Sequence, residues 1–394
     1  MSANIPFKQA PHNIPGPIEV SDEVLFANAH PSMSHVSPEF VPVFGDSIRM
    51  IREVLLSKDA QPFLISGSGT LGWDQVAANV IEPGENALVL NTGYFGYSFT
   101  DCLETYGAKV TQLKAPIGGT VPFEDIAAAL QEKSYKILTF THVDTSTGVL
   151  SDAARIAETV RRVSPQTLVV MDAVCSVASE EIRFDEWDLD VVLSASQKGL
   201  SAPPGLSVLV ASQRAIAAWE DRKKRNVREG SYYASWGKWL PIMKAYESGS
   251  AAYFATPPVN LIYAFHASLS QITARTSSSL PSLADRIALH RASSKRIKDA
   301  ARALGLKQLP VQESEAANGM TALYFPEGVK ASDLLPRLTK KGVIVAGGLL
   351  GPIKDTYFRI GHMGVTAVDA TRGDIDTIIK ALEESLDEIR KEKE

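Results

Sequence analysis

Val191-Val192-Leu193-Ser194-Ala195-Ser196-Gln197-Lys198-Gly199 is a run of strand-forming residues that turns small and polar and meets a lysine. Leu168-Val169-Val170-Met171-Asp172 ends the same way, on a carboxylate. Neither run alternates apolar with polar before its exit, which predicts strands buried on both faces, as in a parallel sheet. Working outward, strands are expected at Phe63–Ser66, Ala87–Asn91, Val110–Leu113, Lys136–Thr141 and Ser207–Val210. Helices are expected between them, near 73–82, 96–107, 122–132 and 151–163. This alternation predicts an α/β fold with a large, mostly parallel, doubly covered sheet domain. Ligand sites in such sheets gather at the carboxyl ends of strands, where Asp172 and Lys198 fall.

The pattern changes beyond residue 258. A helical stretch over 258–304 leads to a strand at Met320–Phe325, a helix near 331–341, short strands at Val343–Val345 and Tyr357–Ile360, and a terminal helix from 367. That reads as a smaller C-terminal α+β domain. The expected division is an extended arm at 1–17, a large domain at 18–275 and a small domain at 276–394. The segment 220–252 is rich in charge and aromatics and takes no assigned role.

The chain has 394 residues, 45% hydrophobic and 22% charged, with a net charge of −5 spread without long single-sign blocks. Nothing in that balance points to nucleic acid or anionic membrane. Two cysteines, Cys102 and Cys175, offer no disulfide framework and suit a reducing compartment. No apolar run reaches bilayer-spanning length. The N-terminal stretch has one lysine, no arginine and no hydrophobic core, unlike a secretory signal or an Arg-rich leader. The final Lys-Glu-Lys-Glu is not a peroxisomal Ser-Lys-Leu address. A soluble intracellular protein is expected, cytoplasmic first, with mitochondrial and peroxisomal addresses open.

A lysine and an aspartate at the ends of buried strands suit chemistry on pyridoxal 5′-phosphate (PLP). The amine forms a Schiff base with the cofactor aldehyde, and the carboxylate keeps the pyridine nitrogen protonated so that the ring accepts electrons. Asp172 also reads as a helix N-cap, but a buried carboxylate demands a cation. Gly67-Ser68-Gly69-Thr70-Leu71-Gly72 matches G-x-G-x-x-G after a strand and before a helix. Three readings stand for it: a PLP phosphate cradle, a dinucleotide fingerprint, or a structural turn. The next strand ends in Asn91, where a dinucleotide fold wants an acidic residue. Phe95, between Gly93 and Gly96, reads as core or as a platform for a planar ring. Arg359 interrupts an apolar strand, so an inward guanidinium needs either a substrate carboxylate or an internal salt bridge. Cys175 reads as a small buried residue, and the histidines show no metal-ligand spacing.

In order along the chain, Ser66-Gly67-Ser68-Gly69-Thr70, Thr141-His142-Val143-Asp144-Thr145-Ser146-Thr147-Gly148, Met171-Asp172-Ala173-Val174, Ser196-Gln197-Lys198, Ala202-Pro203-Pro204-Gly205, Tyr253–Pro258 and Arg359-Ile360-Gly361 resemble the alanine–glyoxylate and serine–glyoxylate aminotransferases. These are fold-type I PLP enzymes. The likeness runs from Ile14-Pro15-Gly16-Pro17 to the terminal helix, and several motifs are most similar to the fungal alanine–glyoxylate form. The resemblance implies that Lys198 binds the cofactor and shuttles the proton between substrate Cα and cofactor C4′. It implies that Asp172 pairs with the pyridinium nitrogen, that Val174 and Phe95 pack on its two faces, and that Ser68, Gly69, Thr70 and Gln197 surround the phosphate. The resemblance further implies that Thr145 lies near the ring hydroxyl, that Arg359 clamps the substrate carboxylate, and that Tyr253 and Thr256 reach the neighbouring subunit's phosphate, so that the active unit is a homodimer with shared active sites.

Many relatives carry His where this chain has Thr70, and Trp where it has Phe95. The hydroxyl and the stacking face survive, which leaves donor preference and cofactor affinity as the properties in question. The expected activity is amino transfer from L-alanine to glyoxylate, giving pyruvate and glycine. A serine-preferring aminotransferase, a desulfurase or lyase relative, and a nucleotide-dependent oxidoreductase using the Gly-rich loop are the competing readings. A desulfurase needs a nucleophilic cysteine on a mobile loop above the substrate, whereas Cys175 follows Asp172 closely.

Overall fold

A computed structural model describes residues 13–275 and 280–393. The strands along the chain are β1 (Gln61–Ser66), β2 (Asn86–Asn91), β3 (Lys109–Lys114), β4 (Ile137–Thr141), β5 (Val143–Asp144), β6 (Val149–Leu150), β7 (Leu168–Asp172), β8 (Val191–Ala195) and β9 (Leu206–Ala211). They are followed by β10 (Met320–Tyr324), β11 (Ala346–Gly347) and β12 (Tyr357–Gly361). Seven form one sheet in the order β1-β9-β8-β7-β4-β2-β3. The β2–β3, β2–β4, β4–β7 and β7–β8 pairs are parallel, and β9 runs antiparallel to both neighbours. The mostly parallel α/β sheet expected from the sequence is therefore present.

Continuous apolar strands sit in the interior because helices cover both sheet faces. Every residue of β4, β7, β8 and β9 is buried. Helices Thr70–Asn79, Tyr94–Thr105, Phe123–Glu132 and Ala153–Val163 begin within a few residues of the expected positions. Because β1 and β8 both run against β9, the carboxyl ends of β1, β2, β4, β7 and β8 share one edge. Those strand ends and the loops after them carry the expected site residues other than Tyr253, Thr256 and Arg359.

A second, three-stranded sheet in the order β10-β12-β11 follows. Phe358 and Ile360 face a small core with Ile297, Leu323, Ile378 and Leu382. Strand alternation then turns Tyr357, Arg359 and Gly361 to the opposite face, toward the large sheet. Three expectations are corrected here. The helical stretch 258–304 is two helices, Val259–Ile272 and Leu283–Ala303, the second capped by Ser282 accepting from Asp285 N at 3.2 Å. The strand placed at 343–345 lies at β11 instead, because Val343 is fully buried and plugs the small core. The terminal helix begins at Asp374, after a four-residue helix Val365–Val368. Residues 220–252 hold the helix Trp236–Glu247 and the end of Gln213–Lys224. The boundary expected after residue 275 adjoins 276–279, and most of the 1–17 arm lies outside the described residues. No helix among the described residues is long and apolar enough to cross a membrane.

Candidate active site

Ser68, Gly69, Thr70, Phe95, Thr145, Asp172, Val174, Gln197 and Lys198 line one cavity of about 200 Å³ at the carboxyl edge of the large sheet. Three roomier clefts, of about 690, 510 and 240 Å³, hold none of the expected site residues.

Lys198 is held by a locked loop. Ser201 N donates to the Lys198 carbonyl at 2.7 Å, and Ala202 N donates to Ser196 O at 3.0 Å. Ser196 Oγ donates to Pro203 O at 2.6 Å. The ammonium is buried and donates to Pro15 O from the N-terminal segment. That segment passes against the lysine because Gly16 has φ +110° and no Cβ; a Cβ there would collide with the Lys198 side chain. Ile18 N donates to Gln197 O at 3.1 Å, and Gly361 N donates to Asn13 O at 2.6 Å. The strap thus spans the two sheets.

Burial lowers the Lys198 amine below an ordinary lysine; Arg359 adds to that, while Cys175 and Asp172 oppose it. The neutral amine is the nucleophile. Its fraction rises with pH and saturates above the lysine's own titration point. The rate at which ligand-free protein condenses with an added aldehyde cofactor should therefore level off below the pH expected of a surface lysine. Stopped-flow absorbance across pH checks this. A rate still climbing in proportion to hydroxide through that ordinary lysine value contradicts it.

Asp172 ends β7 and is 2% exposed. Val174 N donates to Oδ1 at 3.0 Å, and Trp73 Nε1 donates to Oδ2 at 2.8 Å. Burial pushes the carboxyl up to about 6, assisted by Asp144 and opposed by those two donors and by Lys198. A carboxylate so placed wants a cationic partner.

The Gly-rich loop opens the helix Thr70–Asn79 toward the cavity, so helix-terminal N–H groups face an anion position. Gly69 permits the close approach: a Cβ there would lie 2.9 Å from Val174 Cγ2 and 3.3 Å from Ala195 Cβ. Gln197 Oε1 is buried without a hydrogen-bond partner among the described residues. Phe95 starts the helix Tyr94–Thr105, with Trp73 edge-on at 6.4 Å. Tyr94 N donates to Ser146 Oγ at 2.9 Å, and Ser146 Oγ donates to Asp144 Oδ1 at 2.5 Å, which ties this helix end to β5.

Arg359 makes no ion pair among the described residues, which removes the internal salt bridge. Its Nε donates to Gly347 O at 2.8 Å and its Nη1 to Thr145 O at 3.1 Å. Tyr357, two residues earlier, donates from its hydroxyl to Ser146 O and accepts from Leu349 N and Leu350 N at 2.9 and 3.0 Å. These bonds dock the small sheet onto the loop after β5.

Tyr253, Thr256 and Arg359 do not line the cavity; Arg359 reaches its rim through the bond to Thr145 O, whereas Tyr253 is 65% exposed, with His35 at 5.2 Å. Trp73, Thr141, Val143 and Cys175 line it, although the sequence did not single them out as site residues. Trp73 directly follows the Gly-rich motif, where a tryptophan reads as core; only its distance to Asp172 marks it. Cys175 is buried, and burial raises its thiol, which suits an inert thiol better than a nucleophile. No group of three His, Cys, Asp or Glu side chains suited to a metal occurs among the described residues.

The donor set fits PLP: a buried amine, a buried carboxylate held by two donors, an anion position at a helix N-terminus and an aromatic face surround one cavity. Comparison with known proteins decides the family. Residues 18–351 match the class-V aminotransferases. The chain belongs to that family. It is 44% identical over 365 residues to alanine–glyoxylate aminotransferase 1 of Saccharomyces cerevisiae, covering 90% of this chain and 92% of that protein. L-aspartate–glyoxylate aminotransferase of Paracoccus denitrificans is 30% identical over 363 residues, covering 90% and 87%. The crystal structure of an alanine–glyoxylate aminotransferase from Nostoc sp. superposes with a TM-score of 0.85 at 27% identity, covering 98% and 97%. The chain is therefore a class-V aminotransferase with the fold-type I architecture, and enzymes of this class depend on PLP. The dinucleotide reading of the Gly-rich loop falls away.

Proposed function

We propose that this enzyme moves the amino group of L-alanine to glyoxylate, giving pyruvate and glycine, with PLP as cofactor. One observation carries the reading: the half-buried Arg359 guanidinium, without a carboxylate partner among the described residues, lies close enough to the Lys198 amine for its charge to lower that amine's proton affinity. A small amino or keto acid supplies the missing anion. The similarity to the yeast alanine–glyoxylate enzyme supports the choice of substrates.

Bound PLP supplies an electron sink for the charge developing at the substrate Cα. With the cofactor bound, Lys198 Nζ would be the base that takes the substrate Cα proton and carries it onward. The Asp172 carboxylate would keep the ring nitrogen protonated. Arg359 orients the substrate through its carboxylate, and a bidentate guanidinium fixes the angle as well as the charge. Ser68, Gly69, Thr70 and Gln197 would hold the phosphate, Thr145 would serve the ring hydroxyl, and Phe95 and Val174 would cover the ring and exclude water. Residues 18–275 form the cofactor-binding domain and 276–394 the small domain that brings Arg359.

The active unit in this reading is a homodimer, in which Tyr253 and Thr256 reach the phosphate of the partner's cofactor. Tyr253 and Tyr232 are 65% and 75% exposed, and tyrosine is enriched in subunit interfaces, which supports that placement.

The testing experiment adds alanine, serine, aspartate and glutamate separately to the cofactor-loaded enzyme and follows bleaching of its visible band. Alanine is expected to react fastest. Serine leading would replace the donor; a hydroxyl is a small difference that one or two side chains decide. Aspartate leading would point to the Paracoccus-type donor instead. Bleaching by glutamate alone contradicts the proposal.

A further inference from the structure

We propose that Trp73 is a positioning residue for Asp172, its indole N–H fixing the carboxylate that faces the cofactor ring nitrogen. The inference rests on the PLP reading above. Trp73 sits on the first turn of the helix Thr70–Asn79, whose N-terminus opens onto the cavity at Ser68, Gly69 and Thr70. The same helix therefore presents the anion position and reaches across to β7. Gly72 makes room for this: a Cβ there would lie 2.9 Å from Leu193 Cβ on β8. The indole is 7% exposed, stacks on Phe99 at 5.4 Å and 15°, and meets Phe95 edge-on at 6.4 Å and 63°. These contacts leave the ring one orientation, with Nε1 2.8 Å from Asp172 Oδ2.

Val174 N holds the other oxygen at 3.0 Å. Each carboxylate oxygen thus has one donor, and the plane of the group is set. An indole N–H is a donor only, so it stabilises the ionised form and not the protonated one. Burial and Asp144 push the opposite way, while Val174 N–H and Lys198 work with Trp73. The balance decides whether the shared proton sits on the ring nitrogen or on the carboxyl. Removing the indole donor shifts it toward the carboxyl, and the ring loses electron-accepting power.

The test compares wild type, Trp73→Phe and a variant carrying benzothienylalanine at position 73, an isostere whose sulfur replaces the N–H. Three quantities are read: PLP affinity by fluorescence quenching, the titration midpoint of the Asp172 carboxyl by carbon NMR in ligand-free protein, and thermal unfolding. Loss of one hydrogen bond to a charged group predicts about tenfold weaker PLP binding. The Asp172 midpoint should rise above the wild-type value, while the isostere unfolds as wild type does. If Trp73→Phe fails to fold, the isostere decides alone. Wild type that does not bind PLP overturns the function proposed above. Wild type that binds, with an isostere of equal affinity or an unmoved Asp172 midpoint, overturns the role of Trp73.

Discussion

Replacing Lys198 with alanine should abolish turnover while the protein still folds and still binds PLP non-covalently. The lysine is asked for two things, covalent attachment of the cofactor and proton transfer at the substrate Cα. Positioned general acid–base groups contribute about 10²–10⁴-fold, so the loss should reach at least about 10⁴ once attachment is also removed. The side chain carries no ion pair among the described residues, and its ammonium rests on Pro15 O. Truncation exposes one backbone carbonyl and relieves the cost of burying a charge, so thermal unfolding should change little. Single-turnover assays with and without added methylamine check the assignment: a small amine should restore part of the proton transfer. Retained turnover in Lys198→Ala removes the central lysine from the account.

Asp172→Asn is the second large effect, and its sign differs between function and stability. With the carboxylate gone, nothing holds the proton on the ring nitrogen, and kcat should fall by about 10²–10³, the scale of one preorganised electrostatic contact. Both Trp73 N–H and Val174 N–H point at the side chain. Asparagine offers one acceptor to two donors, so its amide also loses a bond. In the ligand-free protein, however, the wild-type carboxylate is a burden. Its proton affinity is raised by burial, with a midpoint moved from 3.8 up to about 6. A raised midpoint means that this group's stabilisation is complete below the unfolded value and is lost as pH rises through the folded one. A rise of that size corresponds to about 3 kcal/mol between the two ends of the window. The stability of Asp172→Asn relative to wild type should therefore improve as pH rises from about 4 through about 6, and then level off. Urea unfolding of both proteins across that range measures it. A difference that stays flat, or that shrinks with pH, contradicts the burial of an ionised Asp172.

Much of the large sheet was legible because its strands are apolar throughout and end abruptly. Leu168–Asp172 coincides with β7, and Val191–Ser194 differs from β8 by one residue. Asp172 and Lys198 could be read as a pair because strand ends in a parallel sheet share an edge, whatever the intervening sequence does. Contacts across long separations were not legible. Trp73 meets Asp172 across 99 positions and Pro15 meets Lys198 across 183, and no local pattern encodes either. In the small domain the signals were shorter. Val343 looked like strand because it is apolar, but it is a core plug, and the ladder forms later at Ala346–Gly347. The helical stretch 258–304 does carry a break in its sequence: Pro281 and the Ser282 cap mark where the second helix begins, a breaker and cap signal that the apolar character on either side masked. Arg359 left two readings open in the sequence. The geometry removes one of them, since its donors go to two backbone carbonyls and to no carboxylate of the described chain.

The most direct test of the account is chemical trapping. Protein incubated with PLP, reduced with borohydride and digested should yield one modified peptide, with the phosphopyridoxyl mass on Lys198 and loss of the visible band. Modification spread over surface lysines, or a single adduct on a lysine other than Lys198, would contradict it.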